Sequence, residues 1–106
     1  MQIIKLKQGG KYMSVFVVLS EEDNEKLEAL IKERYSEDYY QLSPRQWLIS
    51  SDETVIKLTE DLLILDEEKG PGPALVFTIS NYYGMADPAI WEWLKAKREQ
   101  NMTRKP

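Results

Sequence analysis

Val15-Phe16-Val17-Val18-Leu19 is an unbroken run of β-branched, aromatic and aliphatic side chains. Consecutive residues of a strand point to opposite faces, so such a run describes a strand that is apolar on both sides. It needs hydrogen-bonded neighbours on each edge and cover above and below. The run therefore predicts the centre of a sheet.

The segments around it supply the rest of that sheet. Ser20 followed by Glu21, Glu22 and Asp23 reads as an N-cap with an acidic first turn, favourable at the positive end of a helix dipole. Leu27, Leu30, Ile31 and Tyr35 then recur at helical spacing, with Glu28, Lys32 and Glu33 towards water. Tyr39, Tyr40 and Leu42 predict a second strand. Ser43-Pro44-Arg45 is turn chemistry, and Gln46–Ser50 returns as a third strand to complete a hairpin.

Ser50 with Glu53 three residues on has the form of a capping box, opening a helix whose apolar face carries Val55, Ile56, Leu58, Thr59, Leu62 and Leu63. Asp66–Pro73 combines four charges with alternating Gly and Pro, which predicts a mobile loop. Ala74–Ser80 is a fourth core strand. Asp87-Pro88 caps a last helix, with Pro at its first position and fraying after Glu99.

The resulting order, β-α-β-β-α-β plus a C-terminal helix, predicts an α+β fold. It is the ferredoxin-like split βαβ pattern, with a four-stranded antiparallel sheet, its crossover helices on one face, and strands one and three central. Residues 13–99 would form this domain. Residues 1–12, in which Gln2–Lys7 has modest strand character before Gly9-Gly10, would be an N-terminal arm or extra edge strand, serving a neighbouring subunit in the first case. Residues 100–106 would be a polar tail.

Composition narrows the chemistry. The 106 residues suit one domain with one core, and 42% hydrophobic with 30% charged residues is the balance of a folded globule. The chain has neither Cys nor His. That removes disulfides, thiolate and imidazole catalysis, and most transition-metal sites. The formal charge of −4, from 18 acidic and 14 basic residues, disfavours non-specific nucleic-acid binding. Lys5, Lys7, Gly9, Gly10 and Lys11 interrupt the N-terminal stretch, so it offers no apolar core for secretion or membrane insertion, and a cytoplasmic location is the expectation.

The strand Val15–Leu19, the Trp-containing strand Gln46–Ser50 and the passage from Val76–Ser80 through Asn81-Tyr82-Tyr83-Gly84 into Trp91-Glu92-Trp93-Leu94 together resemble the SinR-like small proteins of bacteria and phages. These are distant relatives of the ferredoxin-fold small subunit of the CRISPR spacer-acquisition complex. The resemblance spans roughly residues 13 to 98. It implies a ferredoxin-like fold and homodimerisation, and no settled activity. Nuclease-like members place an Asp at the end of the first strand; here that strand ends Val18-Leu19-Ser20, and the first acids are Glu21, Glu22 and Asp23.

The binding candidates are aromatic. At the turn where Asn81 bonds the backbone and Gly84 supplies a positive φ, Tyr82 and Tyr83 are candidates for an aromatic contact surface for a partner or a base. The alternative is that they only cover a sheet edge. Trp91 and Trp93 lie about 200° apart around a helix, so Trp93 is free for a second surface, either partly exposed or in a dimer interface, if Ile90, Trp91 and Leu94 face the sheet. Trp47 and Tyr40 are further candidates for that surface, and an apolar uncovered sheet face would itself be the interface.

The expected protein is thus a non-enzymatic homodimeric binding module, without cofactor or metal, that meets a protein rather than nucleic acid or membrane. Two alternatives stand beside it. One is a metal-dependent nuclease with Glu21, Glu22 or Asp23 as ligands. The other is an acidic inhibitor or antitoxin-type protein that occupies a basic site on a host protein.

Overall fold

The chain folds as an α+β domain with an open antiparallel sheet, in a computed structural model that describes residues 13–80 and 84–103. The strands are β1 (Ser14–Ser20), β2 (Tyr39–Ser43), β3 (Gln46–Ser51) and β4 (Ala74–Ile79); the helices are α1 (Glu25–Tyr35), α2 (Val55–Asp61) and α3 (Pro88–Thr103). Their order across the sheet is β2-β3-β1-β4, and each adjacent pair is antiparallel. The Val15–Leu19 run therefore sits where its composition predicts, with β3 on one edge and β4 on the other. β1 runs parallel to β2 across β3, and β3 runs parallel to β4 across β1, so α1 and α2 are crossovers. The expected arm, residues 1–12, and the end of the tail lie outside the described residues.

The pleat assigns each side chain to a face. Phe16 and Val18 of β1 share one face with Trp47 and Ile49 of β3, their cross-strand neighbours. Leu27, Ile31 and Tyr35 of α1, at i, i+4, i+8, and Leu58 and Leu62 at α2 pack against them in one buried cluster. Full burial of each large aliphatic or aromatic side chain stabilises the fold by about 1.5–3 kcal/mol.

Both crossover helices start later than their sequences suggest. Asn24, not Ser20, caps α1: its Oδ1 accepts from Leu27 N at 3.0 Å, and Ser20 instead ends β1. Glu21–Asp23 thus lie in the connection and not in a helical turn. Thr54, not Ser50, caps α2, accepting from Lys57 N at 3.1 Å. Ser50 is interior to β3 and buried. In both cases the strand takes in the first capping residue, because strand pairing satisfies the same backbone groups.

The Asp66–Pro73 loop, expected to be mobile, is held in place. Asp66 Oδ1 accepts from Glu68 N and Lys69 N, and Asp66 O accepts from Gly70 N. A Cβ at Gly70 would collide with the carbonyl oxygens of Leu63 and Asp66, so the turn requires glycine there. Asn24 Nδ2 then donates to Pro71 O at 2.9 Å, tying the loop to the start of α1.

The helices do not all share one face. Tyr40 is opposite Leu48, which is opposite Val17, so these residues belong to the face away from the α1–α2 core. Trp93 of α3 lies against Tyr40 with ring centroids 6.2 Å apart, Lys97 pairs with Asp38 at 2.7 Å, and Leu94 is buried. α3 therefore covers the β2–β3 half of the second face. Its helix also continues to Thr103, beyond the expected end at Glu99.

Candidate functional site

The second face is half covered. Reading across it, Leu48 is only 4% exposed, Val17 is partly buried, and Phe77, opposite Val17 on β4, is 49% exposed. Leu75, opposite Leu19, is 61% exposed. On β1 and β4 this face consists of Val15, Val17, Leu19, Leu75, Phe77 and Ile79, with no polar side chain among them. A contiguous apolar surface of this kind marks an interaction site.

At the Leu19–Leu75 end the surface continues into a groove of about 470 Å³, lined by Leu19, Ile64, Leu65, Ala74 and Leu75, with Glu21 beside them. Leu65 is 73% exposed. Leu63, two residues earlier, has φ of 59°, a conformation costly for a branched side chain, and this bend carries the chain out of α2 towards the groove.

The aromatic candidates are distributed differently from the expectation. Tyr40 and Trp93 do share a surface, but they spend it on each other. Lys97 Nζ stands 5.7 Å from the Trp93 ring centroid, adding a cation–π contact to the same junction. Trp47 is removed from this surface altogether: it is fully buried on the opposite face, because odd-numbered β3 residues point into the α1–α2 core. Tyr82, Tyr83 and Asn81 lie outside the described residues. Gly84 has φ of 151°, the positive value expected of the turn.

A second grouping joins α1 to α2. Tyr35 Oη donates to Glu53 Oε1 at 2.8 Å, and Ser51 Oγ donates to the same oxygen at 3.1 Å. Glu53 also hydrogen-bonds Asp61, which Lys57 bridges at 2.9 Å. Burial, and then the proton shared with Asp61, raises the Glu53 carboxyl above the usual range. Asp61 is held below its usual range by the Glu53 hydrogen bond and by Lys57. Burial and the neighbouring Glu53 push the Tyr35 phenol far up. An open cavity of about 460 Å³ borders the group, with Glu33 and Arg34. A carboxyl that holds its proton more tightly than usual beside one that holds it less tightly is acid–base chemistry in principle. Here the Tyr35 hydrogen bond ties α1 to the segment that leads into α2, and the Asp61 contact holds that segment against α2 itself, so the group acts as a strut.

The acids of the β1–α1 connection do not converge. Arg45 Nε holds Asp23 at 2.9 Å, and Ser20 N and Asn24 N donate to Arg45 O and Pro44 O, pinning the connection to the hairpin turn. Among the described residues no three Asp or Glu are grouped to hold a metal ion, and no helix is long and apolar enough to cross a membrane.

Sequence reasoning missed Val17, Leu19, Leu65, Leu75 and Phe77 as individual site residues. For the four strand residues the signal was the same doubly apolar patterning that identified β1 and β4 as core strands; Leu65 lies outside those strands. Compared with known proteins, the chain matches no protein-family model and no curated protein.

Proposed function

We propose that this chain is a non-enzymatic binding and assembly module that works as a homodimer. The observation that carries this reading is the uncovered β1–β4 half of the second face, where Phe77 and Leu75 stand open to water beside Val17 and Leu19. A second copy is the favoured occupant because the surface carries no charge: it is complementary to itself, and pairing two molecules of formal charge −4 through it keeps their acidic surfaces apart. A ferredoxin-like classification within this reading draws support from the β2-β3-β1-β4 order and the two crossovers; α3 is an addition to that pattern. Kinship with the SinR-like small proteins rests on the motifs between residues 13 and 98.

Multi-angle light scattering on the full chain tests the reading. The expected mass is that of two chains for the wild type and of one chain for Phe77→Asp, with both giving the same far-ultraviolet circular dichroism. A wild type that remains a single chain at the highest soluble concentration would overturn it.

A further inference from the structure

We propose that residues 2–7 of each copy dock in the Leu19–Leu65–Leu75 groove of the other, an arm exchange that rests on the dimer reading above. Gln2-Ile3-Ile4-Lys5-Leu6-Lys7 is apolar and basic. Extended, it would turn Ile4 and Leu6 to one side, and Lys5 and Lys7 with Ile3 to the other. The groove offers an apolar floor of Leu19, Ile64, Leu65 and Leu75 with the acid Glu21 in its lining, and the exposed acids Asp66, Glu67 and Glu68 follow Leu65 along the chain.

Length favours the other copy over the same one. β1 begins at Ser14 and the groove lies at its far end, a strand length of about 20 Å away. Met13 is seven residue steps on from Leu6, a reach of about 23 Å fully extended. In its own chain the arm must therefore be drawn taut, placing Gln8, Gly9, Gly10 and Lys11 along the apolar rows of Val17 and Phe77, where they have nothing to bury. In an antiparallel two-fold pairing of the open faces, the Ser14 end of one β1 lies at the Ser20 end of the other. The arm then starts beside the groove, and Gly9-Gly10 supplies the bend.

The chain contains no cysteine, so introduced thiols report proximity without background. Full-length Leu6→Cys is mixed with Leu65→Cys under mild oxidation and compared with a mixture using Ala29→Cys, an exposed site on α1. The expected result is a disulfide-linked heterodimer formed several-fold more with Leu65→Cys than with Ala29→Cys. Adding Lys5→Glu and Lys7→Glu to the arm should lower that yield several-fold. Equal yields at the two sites, while light scattering still gives a dimer, would overturn the arm exchange alone. So would a bridge that forms only within single chains of the Leu6→Cys/Leu65→Cys double variant. A monomeric wild type would overturn the exchange and the dimer together.

Discussion

Val17 and Phe77 face each other across the β1–β4 ladder, and between them the cover supplied by α3 runs out. The row Tyr40, Leu48, Val17, Phe77 crosses one sheet face from a helix-covered edge to an open one. Two positions in that row should respond differently. Leu48→Ala is expected to lower folding stability by about 2–5 kcal/mol, as for a buried leucine. Phe77→Ala should lower it by about 1 kcal/mol at concentrations below dimer formation, since half the ring is already in water. Urea denaturation of dilute protein measures both.

Trp93 is the fastening of α3. Its replacement by Ala removes the ring that lies on Tyr40 and the π face that receives Lys97. A loss of about 2–4 kcal/mol is expected, together with increased binding of a hydrophobic dye as Leu48 is uncovered. Lys97→Met keeps the aliphatic packing and loses the Asp38 pair together with the cation–π contact to Trp93, so its cost should stay at about 1–2 kcal/mol. Equal effects from the two variants would show that the ion pair, and not the ring, holds the helix.

Asn24 serves two partners through one amide. Oδ1 caps α1, and Nδ2 donates to Pro71 O and to Ser20 Oγ. Asn24→Asp preserves the cap and turns a donor into a second acceptor facing the Pro71 carbonyl. Native-state hydrogen exchange should therefore stay slow at Leu27 and quicken at Gly70. Asn24→Ala should quicken both, at a cost of about 1–2 kcal/mol.

The Glu53–Asp61 pair gives a pH signature. The Glu53 carboxyl is raised, so the folded state binds its proton more tightly than the unfolded chain does; this contribution is present below the ordinary glutamate value, near pH 4.3, and is lost as pH rises through the raised value. Asp61 is lowered, so its contribution is present above its ordinary value and is lost as pH falls through the lowered one. Stability from the pair is greatest where Glu53 holds its proton and Asp61 has released its own. Glu53→Gln keeps that side chain neutral at every pH. Chemical denaturation from about pH 4 to pH 8 should show the variant losing the alkaline decline that the wild type has.

The strands were legible because their signal is dense. Val15–Leu19 has no polar position to shift the pairing and Ala74–Ile79 has only Thr78, and Pro44-Arg45 fixes the hairpin between β2 and β3. The helix starts were not, because Ser20 and Ser50 satisfy the same sequence rule as Asn24 and Thr54; strand pairing, a long-range effect, chose between them. The same limit applies to the tryptophans. Trp47 and Trp93 are equally apolar in sequence, and only sheet pleat and the docking of α3 make one a core residue and the other a clasp on the second face. The open half of that face followed from a helix that covers two strands of four, which no local pattern encodes.

The chain has two phenylalanines, Phe16 buried in the α1–α2 core and Phe77 half exposed on the opposite face, so fluorophenylalanine labelling gives one internal reference and one reporter. Fluorine NMR across a dilution series tests the pairing surface directly. The Phe77 resonance should move with concentration and lose its H2O/D2O solvent shift as dimer forms, while Phe16 stays fixed. A Phe77 signal that keeps a full solvent shift in samples shown to be dimeric would place the interface elsewhere and contradict the account.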